Sequence, residues 1–189
     1  GLLDRFGLGY QQMKSRNPTM IYVTMPIYGL AGPYKDYLGY GMNAEAISGL
    51  SSLRAHAGID PTAAGATNHM DAASGVGAAF AILVALHERE RIGRGQYIEF
   101  CQLEHLFHQI GGPLMDAAMN QRVGTGIGNR DAICAPQGIY PCQGEGRWLA
   151  VTVAEIEEWH SLCRVIGRED LTYSHEYHTN IARQIRHDE

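Results

Sequence analysis

An α/β fold is predicted by three features of this 189-residue sequence. Segments rich in β-branched and aromatic residues alternate with segments of helical periodicity, the strand segments are short, and glycine and proline punctuate the joins. Hydrophobic residues make up 45% of the chain, enough for a sizeable core, so residues 1–189 read as one domain. Charged residues, at 19%, are too sparse for a disordered polyelectrolyte and are compatible with a folded globule.

The elements follow in order. "GLLDRFGLGYQQMKSRNP" reads as a turn and a short helix ending near Asn17, because Pro18 disfavours helix in the residue before it. "TMIYVTMP" is a short buried strand, and "IYGLAGPYKDYLGYG" a loop rich in glycine and tyrosine. From Met42 to Leu53 a helix is expected, with Ala46, Ile47 and Leu50 on its core face. A second loop, residues 55–69, leads to Asp71. Val76, Ala79, Phe80, Leu83, Leu86 and His87 then recur at helical spacing, and Gly93 stops that helix after a basic last turn. "GQYIEFCQ" reads as a strand. Leu103, Leu106, Ile110 and Leu114 predict a helix that Gly111, Gly112 and Pro113 must bend or interrupt. Residues 137–153 predict a β-hairpin turning at Gly144-Glu145-Gly146. A helix over 155–166 carries Ile156, Trp159, Leu162 and Cys163 on one face, and residues 168–189 form a partly irregular tail.

Several function classes receive no support. A net charge of −5 with only two lysines gives no reason to expect nucleic acid. No apolar run reaches the roughly 18 residues of a membrane span without glycine or charge, and the first residues lack a signal-peptide layout. The four cysteines have no CxxC spacing and read as reduced thiols of a cytoplasmic protein.

Among candidate sites, Asp71 stands alone ahead of a long small and apolar run. It reads either as a helix N-cap, accepting free backbone N–H groups, or as a nucleophile or base placed at the positive end of a helix dipole. Ala72, Ala73, Ser74, Gly75 and Gly77 serve either close helix packing or close approach of a bulky ligand. His69, two residues earlier, could assist Asp71 or be a surface group. His105 and His108 share a helix face beside Glu104, but no third ligand is signalled and no metal is expected. "GTGIGN" at 124–129 lacks the preceding strand of a phosphate loop. Tyr28, Tyr34, Tyr37 and Tyr40 could stack on a planar ligand or close a core edge.

The order of the motifs resembles the family III coenzyme A transferases, the group that includes the formyl-CoA and carnitine-CoA transferases. The matching stretches are "GLLDRFGLGY", "NPTMIYVTMPIYGLAGPY", "LGYGMNAEAISGLSSL", "MDAASGVGAAFAILVALHERERIGRGQYIEF", "GNRDAICAPQGIYPCQGEGRWLAVTV" and "EEWHSLCRVIGRED". They cover nearly the whole chain, which is similar to the central portion of that fold. The resemblance implies that Asp71 is the nucleophile, attacking an acyl-CoA thioester to form a mixed anhydride. CoA and an incoming small carboxylic acid would then exchange through aspartyl-CoA and anhydride intermediates. It further implies that Arg5 contacts CoA, that Leu38, Gly39, Tyr40 and Gly41 line the CoA site, and that CoA is a substrate with no covalently bound cofactor. It also implies homodimers, interlocked rings in the full-length members.

Two departures from the family pattern narrow this. Racemases of 2-methylacyl-CoA resemble the fold but carry a histidine base where Tyr40 stands and an aspartate where Gly41 stands, so transfer is expected over racemisation. The glycine-rich flap of formyl-CoA transferases has no counterpart before "GIYP", which argues against formate–oxalate exchange. Family members also extend beyond both ends of this stretch. A truncated, non-catalytic binding or oligomerisation module is therefore the alternative expectation.

Overall fold

The computed structural model describes residues 2–189 apart from Ala64, Ala66 and Thr67; the parts of the expected 55–69 loop that fall on those three lie outside the described residues. The chain is organised as two units, Gly1–Leu53 with Pro61–Thr125 and Arg54–Asp60 with Gly126–Glu189. Helices and short strands mix throughout, as an α/β chain requires.

In the first unit, β1 (Tyr22–Thr24) pairs in parallel with β2 (Tyr97–Glu99), Val23 facing Ile98 across the register. The ladder is shorter than the expected strands because few residues on either side keep extended pairing. Gly95 donates its N–H to Pro18 O at 2.8 Å and passes so close to the Met20 carbonyl that a Cβ would collide with backbone. Tyr10 of α2 (Tyr10–Arg16) covers this end of the ladder, its ring 5.8 Å from Tyr22 and 5.0 Å from Tyr97. Ahead of α2 stands α1 (Leu2–Arg5).

Parallel strands need a long crossover, and here it carries most of the unit. The helix expected over 42–53 breaks at Gly49, whose φ of 87° is left-handed, into α3 (Gly41–Ser48) and α4 (Leu50–Leu53). Its expected core face is also corrected. Ala46 and Ile47 point outward, while Gly41, Ala44, Glu45 and Ser48 are buried. After the crossover loop comes α5 (His69–Ile92), ended by Gly93 with φ 70°. Its long extent fits the expectation, and the larger residues of the expected periodic set are not the ones it buries. Met70, Ser74, Ala78 and Ala85 face inward, whereas Val76, Phe80 and Leu83 are 73%, 69% and 64% exposed. The physical reason is packing distance, since small side chains let the neighbouring helices come close. In length and composition α5 could also cross a bilayer, which the sequence pattern gave no reason to expect; its small-residue side nevertheless has protein partners.

Those partners are α3 and α6 (Gln102–Phe107). Ala44, Leu50, Met70, Leu106 and Ile110 form one buried cluster, with Ile27, Leu53 and Leu103 against it. The expected 103–114 helix is interrupted, and α7 (Gly111–Asn120) starts afresh with Pro113 in its first turn, where a missing N–H costs nothing. At the far end of α5, Arg89 donates to Thr19 O at 3.4 Å.

The second unit contains the expected hairpin. β3 (Gln137–Pro141) and β4 (Trp148–Thr152) pair antiparallel, Gly138 opposite Val151, and turn through Gly144 and Gly146 at φ 100° and 67°. Helix α8 (Ile156–Val165) also matches expectation, burying Trp159 and Cys163 with Val153. The segment after it holds a 3₁₀ turn (Glu169–Leu171) and α9 (Asn180–Ile185), capped by Thr179 Oγ1, which accepts the Ala182 N–H at 3.1 Å. Arg183 of α9 is 4% exposed. Its guanidinium donates to Ala135 O at 2.6 Å and Tyr177 O at 2.8 Å and lies 5.1 Å from the Trp159 ring. Burial pulls its pKa down from the usual arginine value.

Two carboxylates in this unit are tuned by backbone. Asp131 accepts the Cys134 and Ile133 N–H groups, both at 2.8 Å, and these hold its pKa below the ordinary 3.8. Glu158 accepts the Ala154 N–H at 2.8 Å and the Glu155 N–H at 3.2 Å, which hold it below 4.5. Both groups are more acidic folded than unfolded. The stability they confer is present above the ordinary carboxylate range and is lost as pH falls through their lowered folded values. Melting measured from neutral pH down to about pH 3 is expected to show a falling midpoint. The Asp131→Asn/Glu158→Gln double variant flattens that fall; a slope identical to the parent's would overturn the assignment.

Candidate functional site

The site grows from the first turn of α5. Asn68 precedes the helix in a left-handed conformation (φ 47°, ψ 39°) and is its N-cap, without a capping side-chain bond. Asp71 is therefore not the N-cap that the sequence allowed; it is the third helical residue, in the first turn. There it still faces the positive end of the helix dipole. Its side chain is exposed, and among the described residues no hydrogen bond engages its carboxylate.

What lies beneath that carboxylate is Gly41. A Cβ built on Gly41 would stand 3.0 Å from Asp71 Cγ and closer still to Oδ2. Gly41 is the first residue of α3, and Tyr40 is its N-cap, with the Tyr40 N–H donated to Asn43 Oδ1 at 2.8 Å. The carboxylate thus sits over bare backbone at the start of α3 while belonging to the start of α5, with two helix N-termini beside it.

The small residues after Asp71 divide by role. Gly77 makes room for His105 and Phe100, since a Cβ there would stand 2.6 Å from His105 Cε1 and 2.8 Å from Phe100 Cζ. Ser74 and Ala78 are buried in the helix packing. Gly75, one turn on from Asp71, has nothing within 4 Å of where a Cβ would stand. The packing reading holds for one side of the helix, and open space remains beside the carboxylate on the other.

The loop before α3 is anchored from two directions. Glu99 Oε1 accepts the Leu30 N–H at 2.6 Å, and the first turn of α6 donates to Pro26 O and Ile27 O at 3.1 and 3.0 Å. Tyr28, Tyr34 and Tyr37 pack on one another, with ring centroids 5.2–6.4 Å apart. Tyr28 also lies over Gly39, its hydroxyl 2.9 Å from where a Cβ would stand. Three of the four tyrosines therefore brace the loop. Leu38 and Tyr40 remain outside at 97% and 81% exposure.

Of the expected site residues, Gly41 and Asp71 are in contact, and Leu38, Gly39 and Tyr40 lead directly into that contact. Arg5 is exposed at the end of α1, and among the described residues no hydrogen bond or ion pair links it to Asp71. His69 pairs through Nε2 with Gln109 Oε1 at 2.8 Å and so is held toward the segment after α6. The His105 and His108 rings are 6.0 Å apart; among the described residues no group of three His, Cys, Asp or Glu is placed to hold a metal. Sequence reasoning missed Glu45, which is 3% exposed and accepts the Met70 N–H at Oε1, 3.0 Å. The available signal was a lone acid between Ala44 and Ala46 in an otherwise small and apolar helix.

Comparison with known proteins gives a consistent result. The model of CoA-transferase family III matches residues 1–189. Among curated relatives, the succinyl-CoA–L-malate CoA-transferase beta subunit of Chloroflexus aurantiacus is 29% identical over 94% of this chain and 44% of its own length. The acetyl-CoA:oxalate CoA-transferase of Acetobacter aceti is 27% identical over 100% of this chain and 48% of its own length. The chain thus spans about half the length of the curated relatives it matches. Among solved structures, a CAIB/BAIF family protein from Brucella suis superposes with a TM-score of 0.85 at 24% identity, over 98% of this chain and 48% of that one, a likeness of fold.

Proposed function

Starting from CoA-transferase family III, to which this chain belongs, we propose that it supplies the nucleophilic centre of a CoA transfer between an acyl-CoA and a small carboxylic acid. An Asp71 carboxylate oxygen attacks the thioester carbonyl, the C–S bond breaks, and CoA leaves as the thiolate, giving a mixed anhydride. The thiolate then attacks the aspartyl carbonyl and releases the first acid as its carboxylate. The second acid attacks the aspartyl-CoA thioester, expelling the thiolate again. Attack of that thiolate on the new acyl carbonyl yields the second acyl-CoA and regenerates Asp71. Splitting one acyl transfer into such steps is covalent catalysis. No proton need be taken from carbon, and no resident cofactor enters.

The observation that carries the reading is the Asp71 carboxylate itself, exposed and without a hydrogen-bond partner among the described residues, over the bare backbone of Gly41. Leu38, Gly39, Tyr40 and Gly41 are proposed to line the CoA thioester end, and Arg5 to meet a CoA phosphate, which a guanidinium suits. Gly41 and Tyr40 offer no acid–base pair, which favours transfer over racemisation. The exposed Val76, Phe80 and Leu83 of α5 support association into a homodimer, and the four unpaired cysteines support a cytoplasmic setting. The same apolar side of α5 favours the second reading, an association module without activity.

Incubation with a panel of acyl-CoAs and hydroxylamine separates the two. The expected result is a hydroxamate on Asp71, located by peptide mass spectrometry. A folded chain that gives no adduct with any acyl-CoA, and no heat of CoA binding in calorimetry, would overturn the enzyme reading.

A further inference from the structure

The first turn of α5 meets α3 at two places one helical turn apart. At position 41 the contact is backbone, the Asp71 carboxylate resting over Gly41. At position 45 it is a side chain, Glu45 Oε1 accepting the Met70 N–H at 3.0 Å. Residues four apart share one helix face, so both contacts come from the same side of α3. That side also carries Ala44, which packs with Met70 and Leu106 in the buried cluster.

Glu45 does the work that the local cap omits. Asn68 makes no side-chain cap bond, so the open N–H groups of α5 need partners from elsewhere. A carboxylate is the strongest acceptor available for such a group, and the positive end of the α5 dipole favours its charge. Burial raises the stakes, because water has poor access to the Met70 N–H; Met70 is 0% and Glu45 3% exposed. Without the acceptor, the residue immediately before Asp71 would carry a buried, unsatisfied donor.

We propose that Glu45 is a positioning residue for the Asp71 nucleophile, forming with Gly41 a two-point clamp that fixes the first turn of α5 against α3. This rests on the proposed CoA transfer. The clamp sets where the Asp71 oxygens stand, while Asp71, the loop before α3 and Arg5 are the groups that meet substrate. What the clamp requires of residue 45 is an acceptor oxygen of the right reach, and the net charge is secondary. Glutamine therefore substitutes and alanine does not.

The test compares the parent, Glu45→Gln, Glu45→Ala and Gly41→Ala in three measurements. The first is the rate of Asp71 adduct formation at saturating acyl-CoA. The expected result is a rate about 10²-fold lower in Glu45→Ala, the cost of a misplacement near 1 Å, with half-saturating acyl-CoA unchanged and Glu45→Gln close to the parent. Gly41→Ala, whose new methyl displaces the carboxylate, slows the same step and keeps the idea testable should Glu45→Ala fail to fold. The second is amide hydrogen exchange of residues 69–75, which quickens in Glu45→Ala and stays protected in Glu45→Gln. The third is carbodiimide-driven coupling of glycine ethyl ester to Asp71, which needs no acyl-CoA; its rate shifts in Glu45→Ala and matches the parent in Glu45→Gln. A folded Glu45→Ala with parental adduct, exchange and coupling rates overturns the clamp, as does Glu45→Gln behaving like Glu45→Ala. A parent that forms no adduct, while exchange and coupling still respond to Glu45→Ala alone, defeats the transfer reading and leaves the clamp standing.

Discussion

Asp71→Asn is expected to abolish the acyl-enzyme adduct while leaving the chain folded. Asparagine keeps the size and shape of the side chain but loses the anionic oxygen that would attack the thioester. Removal of a nucleophile from a covalent mechanism lowers turnover on the order of 10³-fold or more. Stability should change little, because no hydrogen bond engages the Asp71 carboxylate among the described residues. The dipole interaction of a first-turn acid accounts for at most about 1 kcal/mol. Asp71→Glu supplies the discriminating comparison. It restores the charge but carries the oxygens one methylene too far, a displacement above 1 Å that costs about 10²-fold. Adduct formation by mass spectrometry and melting by circular dichroism check the pair. An Asp71→Asn chain that still forms the adduct would move the nucleophile to another residue.

The largest loss of stability is expected from Arg183→Ala in the second unit. Arg183 is 4% exposed and bonds Ala135 O, Tyr177 O and Asn180 Oδ1. Its removal strands one buried acceptor, Ala135 O, at about 1–3 kcal/mol, and two part-buried ones, Tyr177 O and Asn180 Oδ1, that water partly serves and that cost less. It also ends the stacking on Trp159, worth about 0.5–2 kcal/mol. The total expected loss is about 3–5 kcal/mol. Arg183→Lys should recover little, since one ammonium cannot reproduce a planar fork that spans three oxygens. Urea unfolding followed by Trp fluorescence measures the difference, and Trp159 lies within the affected cluster. A loss below about 1 kcal/mol, the value of a single ordinary hydrogen bond, would show that the network is redundant.

The hairpin was legible from the Gly144-Glu145-Gly146 turn between two β-prone segments, and α8 from apolar residues recurring at helical spacing. Trp159 and Cys163 fall on the apolar face of α8 in the sequence alone. Helix α5 was legible as an element but not as a face. It is small or apolar almost all round, so periodicity could not choose between the Phe80 side and the Ala78 side, and packing distance chose Ala78. The face of α3 was misread because Glu45 counts as polar in any pattern, while its acceptor role depends on a helix start 25 residues later. The same distance explains Asp71. Its place near a helix start was readable, but Asn68 begins the helix three residues earlier. Only the fold showed Gly41 beneath the carboxylate.

Asp71 rides at one tip of a rod whose other end is moored at the parallel strands, by Arg89 to Thr19 and by Gly95 to Pro18. Between Asp71 and Gly93 the helix runs about 33 Å at 1.5 Å per residue. A tilt of about 2° around that mooring swings the tip by about 1.2 Å over such a length, more than the displacement that costs about 10²-fold in a reaction needing aligned atoms. Leverage thus sets the load on the Glu45–Gly41 clamp: substitutions at Gly95 or Arg89, at the far end of the rod, strain the clamp through angle.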